Sequence, residues 1–114
     1  MRADLKMRKG KAIAQGSHAS MKFLVDKLAK GVPLSAHENK WLFDGSFTKI
    51  CLRVDSEEEL FAIHRKARAW GITSKVIVDN GKTEFHGNKT PTCLAIGPNA
   101  ASLIDNITGD LKLY

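Results

Sequence analysis

Residues 47–79, with the sequence FTKICLRVDSEEELFAIHRKARAWGITSKVIVD, decide the fold class. Residues 47–54 alternate and contain β-branched side chains, which predicts a strand. Ser56 followed by three glutamates is typical of a capping box and predicts a helix over 56–70. Residues 74–78 are strongly apolar and predict a second strand. Strand, helix and strand at this spacing indicate a βαβ unit, normally a parallel pair with a right-handed crossover.

The chain after this unit contains turn signals and further apolar runs. Asn-Gly is the dipeptide most typical of a tight hairpin, and Gly-Pro commonly ends a strand. The elements expected here are a turn at Asn80-Gly81, a strand beginning near Lys82, a strand over 92–96 that Gly97-Pro98 ends, a helix over 99–106, and a docked tail or strand over 111–114.

The chain before this unit predicts a long helix over 10–30 and a short helix over 35–43 that Ser35 caps. One side of the long helix is apolar, and we expect it to face the core. Polar side chains at helical spacing form a second stripe, which that packing would hold at the edge of the core. The apolar stripe consists of Ala14, Met21, Leu24, Val25 and Leu28, and the polar stripe of Lys11, Gln15, His18 and Lys22.

These elements together predict the α/β class in one domain over 1–114. The predicted architecture is a three-layer α/β/α sandwich, in which a small mixed sheet has helices on both faces. The chain of 114 residues fits one ordinary domain, and 43% hydrophobic residues suffice for a core. That composition argues against a disordered or fibrous protein. We expect neither a membrane span nor a secretory signal, since no apolar run has the necessary length or position.

The excess positive charge lies at one end of the chain. The formal net charge is +6; residues 1–30 carry eight Lys or Arg against two Asp, whereas residues 31–114 carry ten residues of each sign. This asymmetry indicates an anionic partner, with nucleic acid or phosphate as the first candidates. Cys51 and Cys93 match neither a Cys-x-x-Cys motif nor a zinc spacing, which favours core cysteines in a reducing cytoplasm.

The residue types alone leave the chemistry open. Asp79 follows a predicted parallel strand, where open α/β sheets bind ligands, but a hairpin also explains residues 79–83. A lysine-rich helix is usually a solvated surface, and a single histidine such as His18 is more often structural than catalytic. The sequence contains no P-loop, dinucleotide-binding, serine-hydrolase or zinc-protease motif. The pattern therefore predicts a basic α/β domain with a phosphate-bearing partner.

Three stretches carry a more specific signal. Residues 2–19, RADLKMRKGKAIAQGSHA, match the pattern R-x-D-L-x-M-x-x-G-K-x-x-A-Q-x-x-H-A, and residues 79–84, DNGKTE, match D-x-G-x-T-[QE]. A closing signature is formed by TCLAIGP at 92–98, LID at 103–105 and TGDLKLY at 108–114. In this order and spacing, the sequence resembles the type 2 peptidyl-tRNA hydrolases over nearly its whole length.

The resemblance implies an enzyme that hydrolyses the ester bond between peptide and tRNA in peptidyl-tRNA. It implies a four-stranded mixed sheet between helices, a homodimer, and no metal or other cofactor. Carried over to this sequence, the family's catalytic residues are Lys11, Asp79 and Thr83. The residues expected to bind the substrate are Gln15, His18, Thr92, Lys9, Arg8 and Lys22.

These residue types suit ester hydrolysis, which needs an activated water and a stabilised oxyanion. We expect Asp79 to orient or deprotonate water with help from Thr83, and Lys11 to neutralise the oxyanion or the terminal phosphate. Water is the preferred nucleophile, with the Thr83 hydroxyl as the alternative. Gln15 and His18 would place the 3′ end of the tRNA. The remaining basic side chains would attract its phosphates.

Two features depart from the family pattern. Arg8 stands where the family usually has a small residue, and the usual apolar strand is missing before Arg2. Either the natural start lies upstream or most of a strand has been lost, and we expect residues 1–5 to form at most a strand stub. Three functions remain: an active hydrolase, a non-catalytic RNA-binding relative, and a protein-interaction module. The complete set of Lys11, Asp79 and Thr83 favours the hydrolase.

Overall fold

The computed structural model describes residues 1–114 and contains a two-stranded antiparallel sheet. Strand β1 is Ser74–Asp79 and strand β2 is Thr90–Ile96. Ser74 pairs with Ile96 and Asp79 with Thr90, and the register shifts after Ile77. Both strands were expected from their apolar, β-branched composition, and both are confirmed.

Helices cover both faces of this sheet. Successive residues of β1 point to opposite faces of the sheet. On one face, Lys75 forms an ion pair with Asp26 of the long helix at 3.0 Å. On the other side, Ser74 Oγ forms a hydrogen bond with Nδ1 of His64 at 2.7 Å. The α/β class and the layered order of helix, sheet and helix are therefore confirmed. The helices are α1 (Lys9–Lys30), α2 (Ala36–Asn39), α3 (Glu57–Ala69) and α4 (Ala101–Thr108).

The helix ends follow local capping chemistry. Ser35 caps α2 in a capping box with Glu38, and a π-helical turn over Lys40–Asp44 continues it. The Ser56 hydroxyl accepts the Glu59 N–H at 3.0 Å and begins α3. The predicted helices are thus confirmed, with boundaries moved by a few residues. None of them combines the length and the apolar composition that crossing a bilayer requires.

The core consists of two small clusters, one on each face of the sheet. Beneath α1, Ala19 packs against Ile77 and Cys93. On the face covered by α3 and α4, the cluster is formed by Ala67, Ile72 and Ile107. Cys93 is buried, as expected, whereas Cys51 is exposed.

The predicted strand over 47–54 is wrong, and with it the parallel βαβ pair. Only Leu52 and Val54 make isolated bridges, and residues 47–50 have no ladder partner. The Trp41 indole donates to the Thr48 carbonyl at 2.7 Å, which folds this segment back on itself. Residues 51–54 have neighbouring backbones, since Val54 donates its N–H to the Met1 carbonyl and Arg53 to the Lys112 carbonyl, but neither pairing extends beyond an isolated bridge. An alternating pattern shows which side chains could be half-buried, but not how far a partner backbone runs alongside.

The sheet is also smaller than the four-stranded expectation. No strand begins near Lys82; a short 3₁₀ turn, Phe85–Gly87, occupies that connection instead. Arg2 bridges in parallel to Val54 and donates its N–H to the Thr92 carbonyl at 2.9 Å. Outside β1 and β2, the expected mixed sheet is therefore represented only by single bridges. Residues 1–5 form one bridge and a 3₁₀ turn, Ala3–Leu5, which confirms the predicted strand stub.

The prediction for the buried side of α1 is wrong. Gln15, Ala19 and Phe23 are its buried residues, whereas four residues of the apolar stripe are exposed and Leu24 is half-buried; Leu28 is 74% exposed. The small Ala19 lets the helix lie close to Ile77 and Cys93. The polar Gln15 finds partners inside, so its burial costs little. Close approach and satisfied hydrogen bonds outweigh the greater hydrophobicity of the other side.

Candidate active site

Three parts of the chain that are far apart in sequence meet at one end of the sheet. Lys11 lies in the first turn of α1, Asp79 ends β1, and Thr83 lies in the connection between the strands, residues 80–89. The Lys11 ammonium donates hydrogen bonds to Asp79 Oδ1 and to Thr83 Oγ1, both at 2.7 Å. The residues singled out as catalytic from the sequence are thus in direct contact.

Asp79 accepts hydrogen bonds at both carboxylate oxygens. Besides Lys11, Oδ1 accepts from Nε2 of Gln15 at 3.3 Å, and Oδ2 accepts the Gly81 N–H at 2.9 Å. The side chain is buried, with the residue 8% exposed. The Lys11 hydrogen bond is the main influence holding the pKa of Asp79 below its ordinary value, while burial acts in the opposite direction. Asp79 is therefore a fixed, ionised carboxylate.

Gln15 and Thr92 lie behind this carboxylate and out of contact with solvent. Gln15 is 3% exposed and Thr92 is 0% exposed. The Thr92 hydroxyl donates to Oε1 of Gln15, so the amide nitrogen of Gln15 faces Asp79. Thr92 occupies the bulge in β2, because Ile77 pairs with Cys93 and Val78 with Pro91. A bulge beside a site re-aims a side chain, and here it accompanies the contact between Thr92 and α1.

The loop after β1 brings Thr83 to Lys11. Gly81 has a φ of +81°, and its carbonyl accepts the Gly87 N–H at 3.0 Å. A Cβ at Gly81 would lie 2.6 Å from the Asn88 nitrogen, so this close approach excludes any larger residue. The sequence Asp-Asn-Gly thus makes a turn, as expected, but the turn closes a wider loop rather than a two-residue hairpin.

The other expected binding residues line the rim at increasing distance from Asp79. Arg8, whose side chain is 82% exposed, pairs with Glu84 at 3.0 Å between its Nε and the carboxylate. Lys9 and His18 are exposed. Lys22 pairs with Asp26 at 2.8 Å and lies about 16 Å along α1 from Lys11, given the helical rise. These residues do not form one pocket: His18 and Lys22 share a side of α1, whereas Lys9 lies about half a turn around the helix from His18.

A cleft of about 490 Å³ adjoins the site and contains residues that the sequence motifs left without a role. Its lining consists of Lys6, Arg8 and the loop residues 81–87. Lys6 and Lys82 stand at variable positions of the motifs quoted above and Glu84 at a matched position, whereas Phe85 and His86 stand in no recognised pattern. Only the fold of the loop brings them beside Lys11.

The atoms around Asp79 are hydrogen-bond donors. An ammonium group, an amide and a backbone N–H surround the carboxylate, and no three His, Cys, Asp or Glu side chains converge on a metal position. The Lys11 ammonium has three N–H groups, of which two are used. The third can bind an oxyanion or a phosphate, and the Asp79 carboxylate can orient a water. The fold and the site thus define a small α/β domain with a carboxylate–ammonium–hydroxyl centre in a basic surface.

Comparisons with known proteins assign this domain to a family. The family model "Peptidyl-tRNA hydrolase PTH2" matches residues 1–114. A peptidyl-tRNA hydrolase of Methanocaldococcus jannaschii is 42% identical over 113 residues, which are 99% of this chain and 94% of that protein. One of Haloquadratum walsbyi is 41% identical over 113 residues, again 99% and 94%. One of Saccharolobus solfataricus is 39% identical over 114 residues, 99% and 93%.

The chain belongs to the peptidyl-tRNA hydrolase PTH2 family. The match covers every residue, including the three motifs that carried the resemblance in the sequence. Lys11, Asp79 and Thr83 therefore lie in a domain of the expected family.

Proposed function

We propose that this protein hydrolyses the ester bond between the peptide and the 3′-terminal ribose of peptidyl-tRNA and releases free tRNA. The observation that carries the proposal is the contact of Lys11 with both Asp79 and Thr83. The names of the relatives and the basic surface beside the site support the same substrate. In the reaction, a water oxygen bonds to the carbonyl carbon, the bond to the ribose oxygen breaks, and a proton passes to that oxygen.

Asp79 would orient the attacking water. Its lowered pKa makes it a weak base near neutral pH, which favours holding the water over removing its proton before attack. Because Asp79 accepts from Lys11, Gln15 and Gly81, its oxygens point in defined directions. A carboxylate fixed in this way provides the preorganisation that hydrolysis needs.

Lys11 and Thr83 would act on the substrate carbonyl. The free N–H of Lys11 can donate to the oxygen that gains negative charge as water attacks. The Thr83 oxygen already accepts from Lys11, and its hydroxyl forms no hydrogen bond to a carboxylate or imidazole. A threonine nucleophile needs a neighbouring base, so this arrangement favours water as the nucleophile.

Gln15 and Thr92 would be positioning residues. Both were expected to bind substrate, but their burial favours a role in aligning Asp79. The exposed side chains on the rim would contact the tRNA; these are Lys9, Arg8, His18 and Lys22.

Hydrolysis of an N-acetylated aminoacyl-tRNA tests this proposal. We expect the wild-type protein to release tRNA, and Lys11→Ala and Asp79→Ala to lower kcat/KM by about 100-fold or more. Matched controls are Lys30→Ala and Asp110→Ala, which are exposed and form no ion pair. Wild-type rates in both site variants would refute the assigned roles. Salt-sensitive tRNA binding without hydrolysis would select the RNA-binding alternative, and no binding at low salt the protein-interaction module.

The protein is also proposed to act as a cytoplasmic homodimer. The exposed apolar stripe of α1 supports this, because an apolar face opposite the core is typical of an interface. A twofold axis would place the stripes of two copies against each other, in an isologous contact. The cytoplasmic location follows from the proposed substrate, which forms during translation.

A further inference from the structure

We propose that the cleft between Lys6 and residues 81–87 is a subsite for the single-stranded nucleotide next to the scissile ester. Lys6 and Lys82 would bind its phosphodiester, and an aromatic ring of the loop would stack on its base. This inference rests on the proposed function, since it assigns a part of the substrate to a place beside the same site.

The charges of the cleft fit a phosphate. Its lining contains three cations, Lys6, Arg8 and Lys82, and one carboxylate, Glu84. Arg8 already neutralises Glu84 at 3.0 Å. Lys6 and Lys82 form no ion pair with any acidic residue. Two unpaired positive charges therefore line the same cleft, which favours binding of an anion there.

The aromatic content of the cleft points to a nucleotide rather than to a simple anion. Phe85 and His86 lie in the loop wall beside the lysines. Single-stranded RNA is typically held by cations that meet its backbone and by aromatic rings that stack on its bases. The cleft volume of about 490 Å³ lies within the ordinary range of small-ligand sites.

The cleft opens directly onto the reacting position. Thr83 lines the cleft and also accepts the Lys11 hydrogen bond at 2.7 Å. The Lys11 ammonium lies 5.9 Å from the centre of the Phe85 ring. A nucleotide in the cleft would therefore lie beside an ester held at Lys11, as the nucleotide next to that ester must.

Three residues that line the cleft have an unusual backbone conformation. Lys6, Phe85 and His86 have φ values of +52°, +66° and +53°. Such values are rare for residues other than glycine, and they cluster at ligand sites, where the surroundings hold them. Variants at these positions should therefore use asparagine, which tolerates the left-handed region.

The test compares a double variant, Lys6→Asn with Lys82→Ala, with a control that loses the same charge elsewhere, Lys30→Ala with Lys112→Ala. Binding of a labelled RNA acceptor-stem hairpin with a single-stranded 3′ end is followed by fluorescence anisotropy against salt. We expect the site double variant to bind about tenfold more weakly. The slope of log affinity against log salt concentration should fall in magnitude by roughly 1.4, because two contacts to single-stranded phosphates are lost. The control should change binding by less than about twofold.

Three further readouts separate this site from general charge. Lys82→Arg should bind as the wild type does, and His86→Asn should weaken binding about fivefold through lost stacking. In hydrolysis of N-acetylated aminoacyl-tRNA, the double variant should raise KM about tenfold and leave kcat within about twofold. Equal effects of the site and control double variants, or a fall in kcat alone, would overturn the subsite. If the wild type binds the hairpin as described but does not hydrolyse, the proposed function fails while the subsite stands.

Discussion

At the residue scale, the proposed hydrolysis depends on the hydrogen-bond donors that surround the Asp79 carboxylate. Asp79 accepts from Lys11, Gln15 and the Gly81 backbone, and all three bonds favour its ionised form. The same contacts hold the site together, because Lys11 would otherwise leave its position between Asp79 and Thr83. Catalytic alignment and local stability therefore share the same hydrogen bonds.

This sharing predicts a pH dependence for the contribution of Asp79 to stability. Its folded pKa lies below the ordinary value of 3.8, so pairing stabilises the fold above that pH and is lost as pH falls through the folded value. We expect the difference in the free energy of unfolding between wild type and Asp79→Asn to be constant from about pH 7 to about pH 5 and to shrink below about pH 4. Denaturant titrations at each pH measure it.

A control carries the same change at an exposed carboxylate. Asp110→Asn should show no such pH-dependent difference, because Asp110 is exposed and forms no ion pair. A difference for Asp79→Asn that grows as the solution becomes more acidic would contradict the lowered pKa.

At the scale of elements, the connection between β1 and β2 determines the site. The loop 80–89 places Thr83 against Lys11 and carries one wall of the cleft. Gly81 allows this in two ways: it adopts a left-handed backbone, and it admits the Asn88 backbone at close range. The loop thus depends on one glycine for both its conformation and its packing.

Substitution of Gly81 should damage activity beyond its effect on the backbone conformation. We expect Gly81→Ala to lower kcat/KM by about tenfold or more, because the clash with Asn88 displaces the loop and the N–H that Asp79 accepts. The stability loss should exceed the roughly 1–2 kcal/mol of a left-handed alanine. Hydrolysis assays and thermal unfolding measure both quantities.

Gly71 provides the matched control. Its φ is +73°, and a Cβ there would meet no atom within 4 Å. Gly71→Ala should therefore show the conformational cost alone, with hydrolysis unchanged. Equal stability losses for the two variants would mean that the Gly81 contact with Asn88 has no energetic effect.

At the scale of the whole molecule, α1 has two faces with different tasks. One face packs on the sheet through Ala19 and presents Lys11 to Asp79. The opposite face remains apolar and exposed, with Met21, Val25 and Leu28 among its residues. Lys11, His18 and Lys22 lie between these two faces. An exposed stripe of this kind is not needed by the fold, which supports a contact with a second copy.

Light scattering after gel filtration tests that contact. We expect twice the chain mass of 12.6 kDa for the wild type and a single chain mass for Val25→Lys with Leu28→Lys, since unpaired charges destabilise an apolar interface. Ile50→Lys is the control, because Ile50 is 69% exposed and does not belong to α1. A monomeric wild type, or dissociation by the Ile50 change alone, would refute the proposed interface.

Much of the local structure and the composition of the site were predictable. The capping residues Ser35 and Ser56 marked two helix starts that the structure confirms. Lys11, Asp79 and Thr83 were identified from motifs and are in contact. The failure of residues 47–54 to form a continuous strand was not predictable in this way, because their alternation contains no information about how far a partner backbone runs alongside.

The sequence by itself determined the helices, the two paired strands, the family and the candidate site residues, because these depend on neighbours along the chain and on residue identity. Only the tertiary structure decided which side of α1 is buried, that Gln15 and Thr92 lie behind Asp79, and that Lys6 and Lys82 line one cleft. These outcomes depend on how closely backbones approach and on which polar groups find partners. Both are properties of contacts between residues distant in sequence, which no local pattern encodes.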